Sequence, residues 1–168
     1  IILAEQPITK FRSTKAQALL AWLAAHPDVD HSRNQLATLL WGNHPESRAK
    51  TNLRIELSGL KKRLNAHPAL AISRSSVRFH SQHAVVDLLQ FQAALNTEPK
   101  TAVSLQNAVN MPQGSLLAGL QIEDAPDFED WRLLTQERLH QQQMTALDWL
   151  TQHFTAHEQW QTLIETAQ

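Results

Sequence analysis

The chain has 168 residues, 42% hydrophobic and 18% charged, a balance that supports a folded chain and excludes a wholly disordered one. It contains no cysteine, which excludes a disulfide framework, a thiol nucleophile and cysteine-ligated zinc, and no apolar run nears the roughly 20 residues of a membrane span. The net charge of −1 hides a division: residues 1–87 carry 12 Lys/Arg against 6 Asp/Glu, and residues 88–168 carry 3 against 10.

Such a split points to two modules with different partners, the basic one suited to nucleic acid. Ile1-Ile2-Leu3 reads as a strand entered midway, with Pro7 as a break, and no signal-peptide pattern is present. The chain is therefore expected to be a piece of a longer protein. A helix is predicted from Ser13 or Thr14, either of which can cap it; Ala16, Leu19, Leu20 and Leu23 form its buried stripe, with Trp22 beside them and Pro27 as its stop. A second helix starts at Ser32, where Gln35 completes a capping box, and runs through Leu36, Leu39 and Leu40 to Trp41, with Gly42 at C′. After the turn NHPES, a third helix is predicted over about 47–65, with leucines at 53, 57, 60 and 64. The period then changes. LAIS, RSS and VRFH read as a β-hairpin over about 70–80, with Leu70, Ile72, Val77 and Phe79 inward and Arg74, Arg78 and His80 at the tip and outer face. Three helices followed by a small hairpin is the order of a winged helix-turn-helix, here residues 1–86.

Residues 87–168 read as helical throughout. DLLQFQAAL is a short helix capped by Asp87, another spans about 100–110, and MPQGSLLAGL is a loop. EDAPDFEDW opens a long helix to about His157, its first turns acidic as the helix dipole favours, and a last helix carries Trp160, Leu163 and Ile164. Paired helices of this length point to a tetratricopeptide-like α-solenoid; one pair cannot bury both faces, so more repeats are expected beyond Gln168. The predicted fold class is mainly α with a small β component.

The third helix carries the functional signal. At about 100° per residue its leucines fall in one arc with Ala49, and Arg48, Thr51, Ile55, Ser58 and Lys62 lie opposite, flanked by Asn52 and Arg54. A merely solvated helix mixes Glu with Lys for i,i+4 pairs; this outward arc has no acid. Guanidinium forks suit guanine O6/N7 or phosphate, an amide suits adenine N6/N7, and Ile55 can lie against a thymine methyl. Arg74 and Arg78 on the hairpin would follow a phosphate strand or enter the minor groove. Lys15 and Gln17 in the first turn of the first helix, and Arg33 at the start of the second, are further phosphate candidates.

KAQALLAWLAAHPDVDHSRNQLATLLWGNHPESRAKTNLRIELSGLKKRL, VDLLQFQAAL and GSLLAGLQIEDAPDFEDWRLLTQERL together resemble the bacterial antibiotic-regulatory-protein type of transcriptional activator. Those proteins join a response-regulator-like winged helix to a helical bacterial transcriptional activator domain. The resemblance covers nearly the whole chain. It implies that the third helix enters the major groove through Arg48, Thr51, Asn52, Arg54, Ile55, Ser58 and Lys62, and that Arg74 and Arg78 act from the wing. It also implies a helical activator domain at 87–168, promoter DNA as partner, RNA polymerase or a sensor domain as protein partner, a homodimer on DNA, and a cytoplasmic, nucleoid-associated location without membrane contact. Gly59 stands where the family often has a basic residue, and it weakens the helix by about 1 kcal/mol relative to alanine.

Other readings are weaker. Glu123, Asp124, Asp127, Glu129 and Asp130 could hold a divalent cation, but carboxylates at a helix start explain them. His153 with His157, and His80 with His83, lack a third ligand at a recognisable spacing, so no metal or cofactor is expected. No phosphate loop or nucleophile elbow is present, and the chain is read as a non-enzyme. RNA is disfavoured because its A-form major groove excludes side chains. The alternative is a protein–protein interaction module that does not bind DNA.

Overall fold

The computed structural model describes residues 2–3, 6–8, 11–97, 101–110 and 114–156. Among these the chain is mainly α, with six α-helices and a small β component. It divides into two compact units, Ile1–Val86 with Leu117–Leu133, and Asp87–Leu116 with Leu134–Gln168. The sequence reading draws one break at residue 86; the structure interleaves the units, with residues 117–133 joining the first.

In the first unit, β1 (Ile2–Leu3) and β2 (Gln6–Pro7) form a short antiparallel pair. α1 (Thr14–Ala25) starts where the Ser13 side chain accepts from the Ala16 amide, satisfying one of the orphan donors of a helix start. Ala16, Ala18, Leu19, Leu20, Trp22, Leu23 and Ala24 are all buried, so α1 is the central helix rather than a surface one. α2 (Arg33–Trp41) is capped by Ser32, whose side chain accepts from the Gln35 amide. Gly42 follows as its C-cap in a right-handed conformation, φ −56°. That differs from the expected C′ glycine: a Cβ at Gly42 would sit 2.9 Å from the Thr38 carbonyl oxygen, so close approach rather than left-handed backbone calls for glycine. α3 (Glu46–Arg63) buries Ala49, Leu53, Leu57 and Leu60 against α1 and α2. It ends in two left-handed residues, Asn65 (φ 49°) and Ala66 (φ 53°), as the Ala66 amide turns back to the Lys61 carbonyl at 2.8 Å.

β4 (Leu70–Ile72) and β5 (Ser76–Phe79) form the predicted hairpin, with Leu70 opposite Phe79 and Ile72 opposite Val77. A third strand, β3 (His31–Ser32), pairs with the other edge of β5, giving the order β3-β5-β4. Val77 and Phe79 on the central strand are fully buried. The segment 117–133 adds Leu120, Ile122, Ala125 and Phe128 to the buried set.

In the second unit, α4 (Asp87–Asn96) packs on α5 (Ala102–Val109). α5 opens on a reciprocal capping box between Thr101 and Ser104. α6 (Pro126–Ala156) begins in the first unit, with proline at N1, and continues into the second. There Ala146, Leu150 and Phe154 join Leu105 and Val109 in a small core. The helix expected around Trp160, Leu163 and Ile164 lies outside the described residues. Among the described residues no helix is long and apolar enough to cross a membrane.

Candidate nucleic-acid interface

The leucine stripe fixes the rotation of α3. With Leu53, Leu57 and Leu60 at 2% exposure or less, the opposite arc must face solvent. Arg48, Thr51, Arg54, Ile55, Ser58 and Lys62 are all exposed, and Asn52 is half-exposed. Ile55, at 39%, is one of few large apolar side chains left open in the first unit. Among the described residues no ion pair or hydrogen bond engages the side chains of Arg48, Arg54 or Lys62. The Thr51 hydroxyl donates to the Ser47 carbonyl at 2.9 Å, which leaves its oxygen able to accept. The acids of α3 stand apart: Glu46 pairs with Lys50 in the first turn, which holds the Glu46 carboxyl below its ordinary range, and Glu56 is half-buried. Lys61, Lys62 and Arg63 occupy the last turn, where the helix dipole favours cations. Lys61 is exposed on the flank of Arg54, seven residues on; the sequence reading passes over it although the run KKR announces it.

The hairpin tip is a pinned turn. Ser73 Oγ accepts from the Ser75 and Ser76 amides at 3.2 and 2.8 Å and donates to the Ser76 carbonyl at 3.0 Å. Arg33 ties the tip from outside: its backbone amide donates to the Ser75 carbonyl at 3.0 Å and its Nη2 to the Ser73 carbonyl at 2.9 Å. Arg74, between the two serines, is exposed with no ion pair among the described residues.

Three other predicted contacts are engaged inside the first unit. Arg78 forks onto Asp30, Nε to Oδ1 at 3.2 Å and Nη2 to Oδ2 at 2.7 Å. Arg33 is held by the tip it ties. Lys15 is only 13% exposed; its ammonium donates to the Leu40 carbonyl and to Asp124 Oδ2, each at 2.7 Å, and lies 5.0 Å from the centre of a Trp41 ring. There it satisfies a carbonyl in the last turn of α2 and joins residues 117–133 to the helices, holding the Asp124 carboxyl below its ordinary range. Gln17 is half-buried.

The acidic run divides likewise. Asp124 answers Lys15; Glu129 accepts from the Ile122 amide and from Arg132 Nε, both at 2.9 Å. Among the described residues no group of three or more His, Asp or Glu side chains is placed to hold a metal ion, and His157 lies outside them. No model of a known protein family matches the chain, and no curated protein matches it.

Proposed function

We propose that the chain binds double-stranded promoter DNA as a transcriptional activator of the antibiotic-regulatory-protein type. The first unit acts as a winged helix, α3 lying in the major groove and the 70–80 hairpin serving as wing. The acidic second unit is a tetratricopeptide-like surface for RNA polymerase, a sensor domain or a second protomer. One observation carries the reading: an exposed, acid-free strip on α3 leaves Arg48, Arg54 and Lys62 unpaired, while Lys15, Arg33 and Arg78 are held internally. An unpaired cation row costs self-repulsion with no internal return, and a polyanion supplies the missing partner. The pinned turn supports Arg74 as a phosphate contact, and the quoted likeness in sequence supports the assignment to this type of activator.

The assay is fluorescence anisotropy of a labelled duplex of mixed sequence across a salt series. Three phosphate contacts (Arg48, Lys62 and Arg74) predict a log–log slope of about −2.7, at roughly −0.9 per contact. No binding at 50 mM salt would leave the protein–protein interaction module as the surviving reading.

A further inference from the structure

A cavity of about 380 Å³ opens on the first unit between the residues that lead into α1 and the last turns of α3. Ala16 and Leu60 are its buried floor, and Phe11 and Gly59 are half-buried walls. Arg12 and Lys62 stand exposed at its edge, with Arg63 beside them. No carboxylate is among these residues, and among the described residues no ion pair engages Arg12 or Lys62. Glycine at 59 keeps the cavity open. A Cβ there would meet only Arg12 Cδ, at 3.7 Å, so a larger side chain would grow into the space.

Size and charge select the occupant. The volume lies at the low end of the ~300–1,000 Å³ of small-molecule pockets. The seven described residues that line it fall far short of the roughly 20–30 a side of a stable protein interface. An apolar floor beneath Arg12 and Lys62, neither in an ion pair among the described residues, fits a short hydrocarbon with an anionic head. We propose that this cavity binds a small anionic amphiphile, a medium-chain carboxylate, whose head group pairs with Arg12 and Lys62. Lys62 also belongs to the strip on α3. On the DNA-binding reading, on which this second step rests, an occupied cavity removes one phosphate contact, so the ligand and the duplex oppose each other.

The probe is decanoate below its micelle threshold, titrated calorimetrically into the whole chain, with decyltrimethylammonium as the cationic control. Saturable one-to-one binding of decanoate is expected, with none by the cation. Affinity should fall at least tenfold in Gly59→Leu, which fills the cavity, and in the doubly substituted Arg12→Gln/Lys62→Gln, which keeps its shape; circular dichroism checks that each is folded. Absence of saturable decanoate binding, equal binding of the cation, unchanged affinity in the folded variants, or binding of acidic peptides alone overturns the proposal. In the duplex assay, saturating decanoate should weaken binding about eightfold at 0.1 M salt and flatten the slope by about 0.9. Duplex binding indifferent to bound decanoate overturns the antagonism. Decanoate binding without any duplex binding upholds the cavity and overturns the DNA reading instead.

Discussion

Replacing Lys62 by alanine and, separately, Arg78 by glutamine sets an unpaired cation against a tethered one. Both remove one positive charge from the first unit. Lys62 is exposed and unpaired, whereas Arg78 forks onto Asp30 at 3.2 and 2.7 Å with its side chain 35% exposed. If Lys62 meets a phosphate, its loss removes about 0.9 from the salt slope, which is about eightfold in affinity at 0.1 M salt when binding near 1 M is unchanged. Arg78 should contribute little to the slope, because its charge is already answered by Asp30; its loss acts on the fold, by about 0.5–1 kcal/mol for a pair this exposed. Anisotropy of a labelled duplex over 50–300 mM salt measures the first effect and urea unfolding the second. Arg74→Ala should behave as Lys62→Ala does, weakening all sequences alike, whereas Arg54→Ala should relax base preference in a selection from a random library. Equal slopes for the Lys62 and Arg78 variants would refute the distinction between unpaired and tethered cations. Wild-type slopes in Lys62→Ala and Arg74→Ala, with base preference unchanged in Arg54→Ala, would remove these residues as the contact surface.

Gly59→Ala should stabilise the chain by about 1 kcal/mol in urea unfolding, since the added methyl meets ordinary contact distance and alanine is the better helix former. Ala66→Gly should also stabilise it, by about 1 kcal/mol, because Ala66 holds φ 53° after α3 and glycine takes that backbone without strain. Phe79→Ala, a fully buried ring on the central strand, should cost about 3–5 kcal/mol. Acid should destabilise the fold in two stages, followed by thermal melts from pH 7.5 to 3. Burial, partly offset by a bond to the Trp22 carbonyl, holds the His26 imidazole below its ordinary 6.5, so the unfolded chain takes up that proton first; this stability is present above about pH 6.5 and lost beneath it. Asp28, through its bond from the Ser81 hydroxyl, and Asp124, through Lys15, sit below the ordinary carboxylate range, so their contribution is present above about pH 4 and lost as the pH falls through their lowered values.

Local features were legible in the sequence wherever periodicity or a cap determines them. Ser13 and Ser32 cap α1 and α2 because a hydroxyl ahead of an apolar-periodic run has orphan amides to meet. The leucines of α3 set its rotation, so the exposed arc followed without coordinates. The alternation around RSS marked a hairpin and its inward residues, of which Leu70, Val77 and Phe79 are buried. What escaped depends on distant partners. β3 is two residues long and exists only because β5 offers an open edge to His31 and Ser32. Lys15, Arg33 and Arg78 read as available cations because their partners stand 109, 40 and 48 residues away, beyond any periodic signal. Residues 117–133 read as the opening of the helical module; Leu120, Ile122, Ala125 and Phe128 carry no mark of which core they enter. The burial of His31 at 6% is equally silent in sequence: its ring meets Trp22 edge-on at 4.6 Å and bonds to the His26 carbonyl.

The most direct measurement is a ¹⁵N–¹H correlation titration of the whole chain with a mixed-sequence duplex. The account predicts that shifts gather on the outer arc of α3, from Arg48 to Lys62, and on the turn at Ser73–Ser76, with the buried amides of α1 and those of Leu134–Ala156 unmoved. Shifts confined to α4, α5 and the later turns of α6, or none at all, would contradict it.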